Sequence, residues 1–136
     1  MKITPAPKGE LLETAVTVGS GVALTSGAAK SIASLELPAG NFEVSGVGCF
    51  SATGGSTITG QAAAVHTVAD TMPLGSTGGL TACPLPSGGA TAFVEDTCLP
   101  CGPIRVTGPT TVYLTHRANF SGITMKGYGR LRAISV

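Results

Sequence analysis

"TTVYLTHRANFSGITMKGYGRLRAISV", residues 110–136, separates into two faces when read by twos. Val112, Leu114, His116, Ala118 and Phe120 fall on one, and Tyr113, Thr115, Arg117 and Asn119 on the other. After Ser121-Gly122 the alternation resumes: Ile123, Met125, Leu131 and Ala133 face one way, Lys126, Tyr128, Arg130 and Arg132 the other. A period of two is the spacing of a β-strand, because successive side chains leave opposite sides of a pleated backbone. The stretch therefore predicts two long strands joined as a hairpin by a tight Ser-Gly turn, with one apolar face and one basic, tyrosine-bearing face.

Working outward, strand-like runs punctuated by Gly and Pro recur at residues 14–18, 22–25, 30–37, 41–51, 57–68, 90–95, 103–107, 110–120 and 123–135. With 20 Gly, nine Pro and no Trp, the 136-residue chain is built for strands and tight turns rather than helices. The spacing predicts one all-β domain, an antiparallel sandwich or barrel of eight to nine strands over residues 14–136. Residues 1–13, with Pro5, Pro7 and Gly9, read as an extended N-terminal arm. The arm ends in Leu11-Leu12, which need a surface to bury against.

Within 41–50 the apolar residues shift from even positions (Phe42, Val44) to odd ones (Val47, Cys49) across Ser45-Gly46, the signature of a β-bulge. Residues 71–89 show neither period and are expected to form one long loop.

Only 11% of residues are charged, and aromatics are 4%. A core of small residues and a weakly charged surface point to association with other subunits. The net charge of +1 conceals an asymmetry: residues 1–96 hold all seven acids against three lysines, a net −4, whereas residues 97–136 carry +5 and no acid. Arg117, Lys126, Arg130 and Arg132, with Tyr113 and Tyr128 between them, are thus candidates for an interface with something acidic, as Leu11 and Leu12 are for docking of the arm. The candidates for that acidic surface are an adjacent subunit, through Glu36, Glu43, Glu95 or Asp96, another protein, or an anionic polysaccharide. Nucleic acid is disfavoured, because two tyrosines make no stacking platform. No apolar run approaches the roughly 20 residues of a membrane span, and the N-terminus lacks the apolar stretch of a secretory signal. A cytoplasmic site of synthesis is expected.

The chemistry-bearing residues are few. Cys98-Leu-Pro-Cys101 has the spacing of a metal knuckle or redox pair, but Cys49 and Cys83 supply no second close pair. Structural thiols, or one loop disulfide, are expected instead. His66 and His116 both fall among apolar residues and read as hydrogen-bonded core or interface histidines; the alternative is a metal on an oligomer axis. Gly-Ser-Thr-Gly-Gly at 75–79 is read as a turn, since no helix follows to cradle a phosphate. There is no G-x-S-x-G and no paired acids on one face, so no catalytic residue, cofactor or metal is assigned.

Three pieces carry a resemblance: Ser34-Leu-Glu-Leu-Pro-Ala-Gly-Asn-Phe-Glu-Val-Ser-Gly46, Val112-Tyr-Leu-Thr-His-Arg-Ala-Asn-Phe120, and Thr124 followed by Tyr128-Gly-Arg-Leu-Arg-Ala133. Together they cover about a third of the chain, in order, and resemble small virion proteins of tailed bacteriophages. A similar layout occurs in trimeric tumour-necrosis-factor-like domains. The resemblance implies a jelly-roll-like β-sandwich, usually a homotrimer, carried on a capsid as decoration or head fibre, or at a fibre tip that recognises host glycan. It departs from the pattern at Lys126-Gly127 and in the cysteine-bearing region.

Overall fold

The computed structural model describes residues 8–53, 57–71, 82–85, 90–91, 96–98, 101–122 and 124–136. Strands β1 (Leu11–Val16), β2 (Val22–Ala23), β3 (Lys30–Leu37), β4 (Gly40–Thr53), β5 (Thr57–His66), β6 (Ala82–Leu85), β7 (Ala90–Thr91), β8 (Asp96–Cys98), β9 (Cys101–Val106), β10 (Thr110–Phe120) and β11 (Thr124–Ser135) account for nearly all of it, with one 3-10 turn at Val18–Ser20. They form two antiparallel sheets packed as a sandwich. Sheet A runs β1, β11, β4, β8, with β2 sharing the β1 side of β11 and β9 also pairing β4; sheet B runs β3, β10, β5, β6, with β7 also on β5. Counting shared lanes once, the sandwich is four strands over four.

The terminal stretch forms its two strands with the predicted faces, except that Thr115, expected outward, is buried. Val112, Leu114, His116 and Ala118 are buried, as are Met125, Leu131 and Ala133, while Arg117, Lys126 and Arg130 are exposed. The hairpin expectation is overturned. β10 pairs with β3 and β5 in sheet B, whereas β11 pairs with β1, β2 and β4 in sheet A. The link at 121–123 crosses from one sheet to the other, as does Pro38-Ala39 between β3 and β4. Alternation reports which face of a strand is buried, not which strand lies beside it, so a crossing and a hairpin look alike in sequence.

The predicted bulge at Ser45-Gly46 is also absent. β4 pairs with β11 in unbroken register from Phe42↔Ser135 to Thr53↔Thr124. The inner positions are Phe42, Val44, Gly46, Gly48, Phe50 and Ala52, all buried, and two inner glycines imitate a phase slip. Two further boundaries move. β1 begins at Leu11, and the Gly9 N–H already donates to the Ser135 carbonyl (2.8 Å), so the sandwich starts before residue 14. β6 lies inside the expected 71–89 loop; Pro84 is compatible with its place at the edge.

The inner glycines make room for His116. Apolar residues gather in two clusters, one around Phe42, Val44, Leu114 and Leu131 and the other around Phe50, Ala63, Ala118 and Met125. His116 lies between them along β10, wholly buried, with its ring centroid 4.6 Å from that of Phe50. Cβ atoms added at Gly48 and Gly127 would stand 3.1 Å from His116 Cε1 and 3.0 Å from Cδ2, and the one at Gly48 only 2.7 Å from the Ala63 Cβ. The Nε2–H of this sheet B residue donates to the Cys49 carbonyl of sheet A at 3.2 Å. A carbonyl can only accept, so the proton sits on Nε2, and the buried Nδ1 has no hydrogen-bond partner.

Burial lowers the His116 pKa from 6.5 to about 4, and backbone hydrogen bonding at Cys49 and Tyr128 offsets this only in part. The unfolded chain thus takes up a proton near pH 6.5, which the folded chain accepts only near 4. The contribution of His116 to stability is therefore full above pH 6.5 and lost as pH drops towards 4; the gap corresponds to about 3 kcal/mol. Urea midpoints between neutral pH and pH 4 should show this decline, and His116→Gln, which keeps a donor but does not titrate, should flatten it. Asp70, whose pKa is held down chiefly by the Ser31 N–H, contributes below that window. Gly48→Ala is expected to cost about 1–3 kcal/mol in the same assay, the range for overfilling a packed core.

Candidate interaction surface

The residues singled out as one basic face lie on two. Tyr113 and Arg117 are on the outer face of sheet B, where Tyr113 stands opposite Ser34 and His66, and Arg117 opposite Ala62. Lys126, Tyr128, Arg130 and Arg132 line β11 on the outer face of sheet A. Because β10 and β11 belong to different sheets, Arg117 cannot join the stripe.

The stripe itself is partly neutralised within the chain. Arg132 faces Glu13 of β1 on one side and Ser45 of β4 on the other, and Glu43 is the next outward residue of β4. Arg130 Nε lies 4.0 Å from Glu13 Oε2, with both side chains nearly half exposed. An ion pair in water at that separation contributes at most about 1 kcal/mol. Arg105 of β9, opposite Asn41, extends the same face. Acids from the N-terminal part of the chain thus flank cations from the C-terminal part, and the charge asymmetry seen along the chain does not survive folding on this face. Of the acids proposed for an adjacent subunit, Glu43 is on this same face and Glu36 is exposed on β3; Glu95 and the Asp96 side chain lie outside the described residues.

Leu11 and Leu12 point opposite ways. Leu12 packs against the core cluster of Leu114 and Leu131, so it anchors β1 and is not available for docking. Leu11 faces out, in register with Ile134, and is 50% exposed. Ile134, Arg105 and Glu13 were not among the predicted site residues. Ile134 was readable, since the β11 alternation that places Arg130 and Arg132 outward continues to it. Beside this end of the face, Lys8, Gly40, Asn41, Arg105 and Thr107 border a groove of about 460 Å3.

The histidines do not converge. His66 is on the outer face, half-buried, with Nδ1 accepting the Thr67 N–H at 2.9 Å, while His116 is in the core. The Thr67–Asp70 segment returns to β3, where Asp70 Oδ1 accepts the Ser31 N–H (2.7 Å) and the Asp70 N–H donates to Ser31 Oγ (2.8 Å). Among the described residues no three His, Cys, Asp or Glu side chains gather as a metal site.

For the C-x-x-C, backbone register decides. Cys98 pairs with Gly48 and Cys101 with Ser45, three positions apart along one extended partner strand. That is a separation of about 10 Å, beyond the roughly 7 Å that a disulfide can span. Cys101 is exposed and Cys49 half-buried. The side chains of Cys83 and Cys98, and the 75–79 turn, lie outside the described residues. Compared with models of known families the chain matches none, and comparison with curated proteins likewise gives no match.

Because Cys101 is outward on a strand edge, Cys101→Ser should leave the urea midpoint within about 0.5 kcal/mol of the parent.

Proposed function

We propose that this chain is a structural protein of a tailed-bacteriophage virion, a homotrimer made in the host cytoplasm and carried on the capsid surface as a decoration or head-attached protein. The reading rests on the three resembling pieces and is supported by where they fall. The first spans β3, the Pro38-Ala39 crossing and the start of β4. The second is most of β10, central in sheet B, and the third most of β11, central in sheet A. Segments distant in sequence therefore make one framework, both middle strands of sheet A and one of sheet B, together with the edge strand β3 and the crossing that links it to β4. Scattered chance matches have no reason to assemble in this way.

The partner is another virion protein, met through the outer face of sheet A, where Lys126 and Tyr128 extend beyond the Glu13–Arg132 region. A second reading, a fibre-tip domain that binds host polysaccharide, is favoured by the groove beside Arg105, whose Lys8, Asn41 and Thr107 suit an acidic sugar.

Native mass spectrometry should give three times the chain mass. Labelled protein added to intact particles of the encoding phage should decorate heads in a salt-sensitive manner. Lys126→Glu should weaken that attachment, while Arg117→Glu, on the other sheet, should not. Labelling confined to tail tips, with retention on purified host polysaccharide, would establish the second reading in place of the first.

A further inference from the structure

We propose that a second copy of this chain packs on the apolar end of the outer face of sheet A, centred on Leu11 and Ile134. The two residues are direct cross-strand partners on β1 and β11, a placement that brings Cβ atoms within about 5.5 Å. Val136, the next outward residue beyond Ile134, is 55% exposed and tied to β4 by its N–H to the Asn41 carbonyl, 2.9 Å. Leu11, Ile134 and Val136 are three of the four large apolar side chains exposed among the described residues, and they adjoin one another. Pro103, exposed on β9, lies beyond Glu43, which separates it from Ile134. Single exposed aliphatics are ordinary, but a contiguous set on rigid strands marks an interaction site. Leu12 and Val16, packed into the core from the other face of β1, hold Leu11 in place before any partner arrives, so little ordering is needed on association.

The rim selects the occupant. Glu13 faces Arg132 and lies near Arg130, Glu43 and Arg105 lie across β4 and β9, and Lys8 borders the adjoining groove, so the apolar end is bordered by charges of both signs. A rim of one sign would repel its own copy and attract an opposite partner. A rim that carries both signs can orient a neighbouring copy, because each arginine can meet a glutamate of that copy. An aliphatic centre is likewise poorly matched to a glycan, which needs polar or aromatic contacts.

The inference rests on the proposed function only in that copies of the chain associate. It is tested by sedimentation equilibrium of the full chain and of Leu11→Glu/Ile134→Glu, with the milder Leu11→Gln/Ile134→Thr as a second variant. Both positions face outward, and circular dichroism and the urea midpoint would verify folding. The expected result is an oligomer in the parent whose dissociation constant rises roughly tenfold or more in each variant, from the loss of buried aliphatic surface. An oligomer that neither variant weakens overturns the assignment and leaves the virion reading standing. A parent that stays monomeric, with residues 2–7 present or deleted, also overturns it. Failure of the folded parent to attach to particles sinks the virion reading instead, whatever the variants do.

Discussion

The sandwich is organised around one imidazole set where hydrocarbon would be expected. His116 fills the gap between two apolar clusters, and it can do so only because β4 and β11 present glycine beneath it at positions 48 and 127. Its hydrogen bond to the Cys49 carbonyl ties sheet B to sheet A across the core. The arrangement has a cost. Nδ1 has no hydrogen-bond partner, and Gln61, diagonal to His116 on the inner face, is buried with neither amide atom paired. Each such group subtracts about 1–3 kcal/mol from what packing provides. These costs are borne by the packing of the larger core residues, Phe42, Phe50, Leu37, Leu114, Met125 and Leu131, and association with other chains is one means of adding to it.

Short links that cross between sheets explain why the surface does not follow the sequence. Because β3 leads into β4, and β10 into β11, across the sandwich, each sheet is assembled from distant parts of the chain. β1 and β4 thereby come to flank β11, so that Glu13 and Glu43 border Arg132 although about 90 or more residues separate them. A charge imbalance measured along the chain predicts a charged face only where strands adjacent in sequence are also adjacent in space.

The same geometry sets how much was legible beforehand. The period of two is intrinsic to a strand, so element positions and the inward and outward sets of β10 and β11 could be read directly. Pairing is a property of two strands at once and leaves no mark on either; hence the hairpin that proved to be a crossing. Glycine blurs even the facial reading, as Gly46 and Gly48 show by standing on the inner face without a side chain to declare it. For the surface, the outward alternation identified Arg130 and Arg132 and would have yielded Ile134 if carried two residues further. The arginines' partners on β1 and β4 required the register. Leu12 illustrates the limit in the other direction, since in an adjacent Leu-Leu pair only the pairing of β1 says which residue goes in.

Edge chemistry bears on which route to association is open. Among the described residues β9 pairs only with β4 and carries Pro103, and β6 pairs only with β5 and carries Pro84. Proline offers no N–H to an incoming strand, so both edge lanes on this side of the sandwich resist extension by another chain. On the other side β1 and β3 lie against each other, and Leu12, Val16 and Leu35 close the core between them. With strand addition blocked at one side and the other side closed on itself, contact between chains is directed to the sheet faces. Of these, the outer face of sheet A holds three of the four large aliphatics exposed among the described residues, Leu11, Ile134 and Val136, next to paired charges. The aliphatics can be removed from water only by a partner lying flat against the sheet, and the adjoining glutamates and arginines restrict how such a partner is oriented.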